Sequence, residues 1–220
     1  MLIRGTNVQN SILKEHIEKK RVYEFLKRFI DIICSLTGLI VLMPILVAIV
    51  IIIKIESKGS IIFSQDRVGK NGIVFKMYKF RSMVINAEEL KEKLANKNER
   101  IGPMFKIKND PRITRVGRFI RRTSIDELPQ LVNILKGDMS IVGPRPSLPM
   151  EVEQFDSWMM KRLNVKPGLT CYWQVSGRND IKFTEWMKLD VEYVEQRNLI
   201  IDAKLIYKTF FVLFGDKNAS

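Results

Sequence analysis

Residues 32–53 read IICSLTGLIVLMPILVAIVIII, 22 positions without a charge. As a helix this run is roughly 33 Å long at about 1.5 Å per residue, close to the thickness of a bilayer core. No comparable run occurs elsewhere in the 220 residues. About thirty residues precede it and no small-residue cleavage site follows, so it reads as a membrane segment and not as a cleaved signal peptide. Pro44 stands near its middle. Proline removes a backbone donor and clashes with the preceding turn, which predicts a break or kink. Each half, about eleven residues or roughly 16 Å, is too short to cross alone. Both flanks are basic, with Lys19, Lys20, Arg21, Lys27 and Arg28 before the run and Lys54, Lys58, Arg67 and Lys70 after it. The positive-inside rule places both on the cytoplasmic face. The pattern predicts a re-entrant helix that enters, bends and returns. The plainer alternative is a kinked span, which membrane helices tolerate.

Upstream, residues 11–31 are amphipathic, with Ile12, Ile17, Phe25 and Phe29 among charges, and suit the headgroup level. Downstream, SIIFSQDRVG and GIVFKMYKF flank the turn residues Gly69, Lys70, Asn71 and Gly72, a hairpin signal. Helical spacing follows over 84–100, 125–136, 151–164 and 183–214, separated by Gly- and Pro-bearing loops. The expected fold is therefore mainly α with a small β-hairpin. It divides into an interfacial helix (1–31), a membrane helix (32–53) and a compact cytoplasmic domain (54–220). There is no G-x-G-x-x-G and no strand–helix alternation, which excludes a Rossmann sheet.

Composition narrows the chemistry. Lys and Arg number 37 against 24 Asp and Glu, a net +13, and 46% of residues are hydrophobic. That hydrophobicity excludes a disordered chain, and the charge asks for a polyanion: nucleic acid, anionic membrane or a phosphorylated substrate. Two cysteines, Cys34 and Cys171, exclude a disulfide scaffold and a four-Cys zinc site. A single histidine, His16, argues against His-based catalysis. Carboxylates, Arg, Lys and oxygen-bound metal remain.

From Arg100 to Arg122 stand eight basic residues and one acid, Asp110; then Asp126 and Glu127 open a helix-like stretch. Ser124 to Glu127 matches the capping box S-x-x-E, and Pro129 alternatively makes Asp126 itself the cap. In either register Asp126 sits at a helix N-terminus just after Arg121 and Arg122. Such surroundings predict a lowered carboxylate pKa and attract phosphates. An ionised carboxylate beside a pyrophosphate is either a Mg²⁺ ligand or a nucleophile at phosphorus. Three further segments offer cations: YKFRSM with Lys79 and Arg81, VGPRP with Arg145 stiffened by two prolines, and VSGRND with Arg178. Taken singly they also read as an edge strand, a basic turn and a surface turn.

Together these segments resemble a known family. KRFIDII (27–33), the Pro-interrupted run, FSQDRVG (63–69), FKMYKFRSM (75–83), the block DPRITRVGRFIRRTSIDELPQLVNILKGDMSIVGPRP (110–146) and VKPGLTCYWQVSGRND (165–180) occur in order. They are similar to the bacterial polyprenyl-phosphate sugar-1-phosphate transferases, the monotopic phosphoglycosyl transferases, over about residues 25–214. The resemblance implies transfer of a sugar-1-phosphate from a UDP-sugar to undecaprenyl phosphate, with release of UMP, early in capsule or exopolysaccharide synthesis. It implies a Mg²⁺ cofactor, a place at the bacterial inner membrane and a catalytic domain on its cytoplasmic face. It places the catalytic and metal-binding acids at Asp126 (nucleophile) and Glu127, substrate-binding cations at Lys79, Arg121, Arg145 and Arg178, and the helix break at Pro44. Met43 stands where some relatives have Ser before that proline, and Cys171 where Gly is common. Residues 86–108 look more like the larger members, which favours glucose or galactose as the sugar. A homodimer is one expectation for the oligomeric state. The competing class is a basic membrane-anchored protein that binds anionic lipid or nucleic acid without chemistry. The adjacent acids inside the most basic segment disfavour it, and no nucleic-acid module pattern is present.

Overall fold

A single helix, α1 (Ile3–Glu56), organises the computed structural model, which describes residues 3–94, 107, 109–176 and 181–215. Its stretch Lys20–Glu56 is long and apolar enough to cross a membrane, and little of it is buried in the protein. The helical run continues on both sides of Pro44. The expected interruption is therefore not a gap: proline withdraws one hydrogen bond, and the turns around it stay helical. The boundaries expected at 31/32 and 53/54 both fall inside α1.

One face of α1 is fastened to the rest of the chain along most of its length. The Tyr23 hydroxyl and Lys27 Nζ both donate to Asp202 Oδ2 at 2.9 Å. Arg28 donates to the carbonyls of Ile134 and Leu135 at 2.5 and 2.8 Å. Those carbonyls belong to the last turn of another helix, where Ile134 otherwise has only the Gly137 amide, at 3.0 Å. Asp31 Oδ1 accepts from Ser140 Oγ and the Ile141 amide. Farther along, Ile49 and Ile53 pack with Phe80 and Ile120. The other face leaves Phe25, Phe29, Leu36, Val41, Ile51 and Ile55 exposed.

The expected hairpin forms as β1 (Ile62–Val68) and β2 (Val74–Phe80), antiparallel, with Ile62 opposite Phe80 and Val68 opposite Val74. Asn71 and Gly72 take positive φ in the turn, as a tight reversal requires. The chain continues through α2 (Ala87–Lys93), α3 (Arg115–Arg122) and α4 (Gln130–Lys136). The remainder of the expected 84–100 helix, residues 95–100, lies outside the described residues. Asn133 of α4 is fully buried; its amide accepts from the Tyr78 amide and donates to the Lys76 carbonyl. This side chain satisfies the free edge of β2 and fixes α4 against the hairpin.

A second pairing joins β3 (Ser140–Val142) and β4 (Gly168–Thr170) in parallel; the first lies in the expected loop 137–150 and the second in 167–180, a loop with room for a short strand. Residues 151–164 are also not one amphipathic helix: a short α5 (Pro149–Val152) and a 3-10 turn (Met159–Asn164) replace it. Its apolar residues serve several neighbours instead of one helix face; Met159 packs with Trp186 and Met187, and Leu163 is buried apart from that cluster. After α6 (Tyr172–Val175), the helical stretch expected over 183–214, as one helix or two, is observed as two: α7 (Phe183–Gln196) and α8 (Leu199–Gly215). Among the described residues the fold is thus mostly helical, with two small two-stranded sheets.

α3 is capped by Thr114, whose Oγ1 accepts from the Gly117 amide at 2.8 Å. A Cβ on Gly117 would lie 1.9 Å from the Ser82 carbonyl oxygen, so α3 touches that backbone through a glycine. Gly117→Ala should force the two apart and lower stability by at least about 1–3 kcal/mol. Gly38→Ala, which meets only Leu131 Cδ1 at 3.4 Å, should change the melting temperature little. Thermal unfolding of both variants checks the contrast.

Candidate active site

Asp126 and Glu127 lie in a 3-10 turn, Ile125–Glu127, between α3 and α4. Ser124 adopts a left-handed conformation (φ 55°) and its side chain makes no cap. The expected capping box is therefore absent, and Asp126 does not cap α4. Pro129 explains this. It has no N–H to return to Ile125, so the Leu128 amide bonds the Ile125 carbonyl instead and the turn tightens. Glu127 is drawn elsewhere: its Oε1 accepts from Lys79 Nζ at 2.7 Å and from Arg145 Nη1 at 3.5 Å. Bonds between ions outcompete a neutral backbone donor.

Asp126 exposes 7% of its surface. Burial pushes its carboxyl up to about 6; Lys79, Arg121 and Arg145 pull it back and Glu127 pushes it further up. The sequence predicts the opposite direction, because it shows the basic neighbours and not the burial. Lys79 arrives from β2, Arg121 from the last turn of α3, and Arg145 from the loop after β3. Of the five expected site residues besides Asp126, the structure brings four together around it: Lys79 and Arg145 contact its neighbour Glu127, and Arg121 acts on it through its charge. Arg178 lies outside the described residues. Arg81 does not join the site; it donates to Ser57 and to the Lys58 carbonyl at the end of α1.

Arg145 is held under opposing influences. Burial works against its charge, while Glu127 and Asp126 outweigh that and keep it above the ordinary guanidinium value. Its guanidinium also lies 5.8 Å from the Trp173 ring centre.

Sequence reasoning missed three polar residues. Arg67 of β1 donates to the Pro146 carbonyl at 3.1 Å and to Gln65 Oε1 at 2.8 Å. Burial, then Arg145, push Arg67 down to about 10, and its Nε has no hydrogen-bond partner among the described residues. Arg162 and Asp190 form an ion pair at 2.6 Å with both side chains 1% exposed. Asp190 could have been flagged: it falls on the helical stripe Trp186, Met187, Asp190, Tyr193, Val194, where a lone acid needs a buried partner.

Among the described residues, no three His, Cys, Asp or Glu side chains gather into a metal cage. Asp126 and Glu127 fit a different mode. Mg²⁺ keeps several waters and is held by one or two carboxylates together with substrate phosphates. Adjacent carboxylates such as these are donors that a metal held in that way would use, with the remaining positions left to water and substrate. Cys34 is exposed and Cys171 buried, and both are free thiols.

A profile described as "Bacterial sugar transferase" matches residues 22–216. The galactosyl transferase CpsE of Streptococcus agalactiae is 49% identical over 85% of this chain and 42% of its own length. The undecaprenyl-phosphate galactose phosphotransferase of Salmonella typhimurium is 46% identical over 95% of this chain and 43% of its own. The exopolysaccharide production protein ExoY of Sinorhizobium fredii is 39% identical over 83% of each chain. The chain therefore spans about two fifths of the first two relatives and most of the third.

The raised pKa of Asp126 has a consequence for stability. Its folded value of about 6 lies above the ordinary 3.8, so the unfolded chain gives up this proton more readily. Stability is lost as pH rises through that window, and the loss is complete above about 6. Asp126→Asn removes the buried charge and should stabilise the protein near pH 7.5 by on the order of 1–3 kcal/mol. The gain should shrink as the pH falls from about 6 toward 4, where the wild-type carboxyl becomes neutral. Melting temperatures measured across pH 4 to 8 check both the sign and the window.

Proposed function

The chain belongs to the bacterial sugar transferase family, and from that premise we propose that it moves a sugar-1-phosphate from a UDP-hexose, glucose or galactose, to undecaprenyl phosphate. UMP is released, and the product begins a capsular or other surface polysaccharide. The observation that carries this reading is the buried Asp126 beside Glu127, ringed by Lys79, Arg121 and Arg145. An acidic pair inside a cationic ring suits a metal-bound pyrophosphate substrate and would bind a simple polyanion less well than a purely basic surface does. Galactose in the names of two relatives and exopolysaccharide production in that of the third support the substrate class.

In the proposed reaction an Asp126 oxygen attacks the sugar-side phosphorus of the UDP-sugar. The bond from that phosphorus to the bridging oxygen breaks, and UMP leaves with the electron pair. A phosphate oxygen of undecaprenyl phosphate then attacks the same phosphorus. The acyl-phosphate bond breaks, Asp126 is regenerated as a carboxylate, and the lipid carries the sugar diphosphate. Two displacements replace one encounter between two anions. Arg145 and Arg121 face the charge that develops on the phosphoryl oxygens, and Lys79 holds Glu127 in place. Glu127 takes the proton of the acceptor phosphate or helps to hold the metal. Mg²⁺ held by Asp126 and Glu127 would neutralise pyrophosphate charge.

The membrane reading is that α1 enters the bilayer and returns, with both flanks and the catalytic domain on the cytoplasmic face of the inner membrane. Support comes from the contacts of α1, which run from Tyr23 to Ile53 on one body of protein. A helix that crossed the bilayer would carry half of those contacts away from it. The expected division at residues 31/32 and 53/54 then marks a change of solvent and not of fold.

Steady-state kinetics should be ping-pong, and label from the sugar should stay on the protein when acceptor is omitted and vanish with Asp126→Asn. A sequential pattern, with UMP appearing only after acceptor is added, would recast Asp126 as a metal ligand. The rate should fall as pH drops below about 6, where Asp126 takes up its proton. Arg145→Ala should lose on the order of 10²-fold in kcat, the usual size for one donor to a developing oxyanion. For topology, single cysteines at Lys20 and Lys58, in a background without Cys34 and Cys171, should label from the same side of sealed vesicles.

A further inference from the structure

The loop that carries Arg145 has little freedom left. The Gly143 amide donates to the Thr170 carbonyl at 3.0 Å, and the Gly168 amide donates to the Pro144 carbonyl at 2.9 Å. The Pro146 carbonyl accepts from Arg67, the Ser147 carbonyl from the Val68 amide at 2.9 Å, and the Leu148 amide donates to Glu151 Oε2 at 2.8 Å. Two further hydrogen bonds to the loop come from one buried side chain. Arg162 Nη2 donates to the Arg145 carbonyl at 2.6 Å, and Arg162 Nη1 donates to Ser147 Oγ. The same guanidinium is held from behind by Asp190 Oδ2, through Nε at 3.0 Å and Nη2 at 2.6 Å. The rings of Phe155 and Trp186 lie 5.4 and 5.5 Å from it.

A fully buried ion pair is a poor source of stability, because desolvation offsets most of the attraction. Apolar residues of the same volume would serve packing as well. What they would not supply is two further donors aimed at the backbone and side chain of the Arg145 loop. Proline on both sides of Arg145 removes two amides, so the segment has few donors of its own to hold it.

We propose that Arg162 and Asp190 are positioning residues: Asp190 orients Arg162, and Arg162 fixes the 143–147 loop so that the Arg145 guanidinium meets the substrate phosphate. The inference rests on the reading of Arg145 as a phosphate-facing donor. Neither positioning residue touches the reacting atoms. Their effect on the reaction passes through Arg145, and a misplacement of about 1 Å at such a donor is enough to cost on the order of 10²-fold in rate.

The test uses the full chain in detergent and two variants. Arg162→Met/Asp190→Leu removes both charges and leaves neither orphaned. Arg162→Lys keeps a charge beside Asp190 but loses the fork, and it serves if the double change does not fold. Two measurements are made on whichever variant melts within a few degrees of wild type. Hydrogen exchange of peptides covering 140–149 should quicken at least about tenfold, while α4 and the hairpin stay as in wild type. UMP release from UDP-glucose or UDP-galactose with undecaprenyl phosphate should fall by roughly 10²-fold, and adding Arg145→Ala should then cost less than about threefold more, a non-additive cycle. Unchanged exchange in the loop, or full additivity with Arg145→Ala, would overturn the proposal. An inactive wild-type chain would count against the transferase reading, and the exchange measurement would still decide whether the pair pins the loop.

Discussion

Asp126 exposes 7% of its surface, yet its proposed chemistry requires a charge, and burial pushes its carboxyl up to about 6. A carboxylate so enclosed stays ionised near neutrality only if cations are brought to it and kept there. Those cations come from three separate elements: Lys79 from β2, Arg121 from α3 and Arg145 from the loop after β3. Each delivery has its own support. Asn133 fastens β2 to α4 through two hydrogen bonds, Gly117 lets α3 sit against the Ser82 backbone, and the Arg145 loop is anchored by partners from β1, β4 and the 3-10 turn at Met159–Asn164. Much of the domain's irregularity, its short sheets and turns, follows from holding dissimilar elements around one acid.

Helix α1 does two jobs at once. Its uncovered face is apolar and suits lipid, while its other face supplies polar contacts that the catalytic region needs. Arg28 caps α4, the helix that follows the Asp126 turn, and Asp31 holds the first residues of β3, the strand that leads into the Arg145 loop. The apolar helix and the geometry of the candidate site are therefore mechanically connected through charged side chains at one end of the apolar run. A domain separated from this helix would expose Ile120 and Phe80, which pack on Ile49 and Ile53, and would take the Arg28 guanidinium from the end of α4.

Much of this was legible in the residues. The 22-residue uncharged run, the hairpin around Asn71–Gly72, the C-terminal helix pair and the meeting of Asp126, Glu127, Lys79 and Arg145 all rest on local pattern or on motifs carried in order along the chain. The failures have a common cause. The capping box failed because Glu127 found two cations 48 and 18 residues away. The pKa of Asp126 moved upward because the enclosing elements are distant in sequence. The parallel pairing of β3 with β4 joins strands too short to carry a periodic signal, and the 151–164 helix gave way because its apolar residues have several different neighbours.

By itself the sequence determined the apolar helix, the basic character, the order of the motif blocks and the acids and bases able to act, since those follow from composition and near-neighbour spacing. The tertiary structure decided which charges pair, how deeply Asp126 is enclosed, and that Arg162 with Asp190 stands behind Arg145. Local pattern reports what a residue prefers among its neighbours. Burial, and the ion pairs that burial makes necessary, depend on segments far apart along the chain, and so they exist only once the fold has brought those segments together.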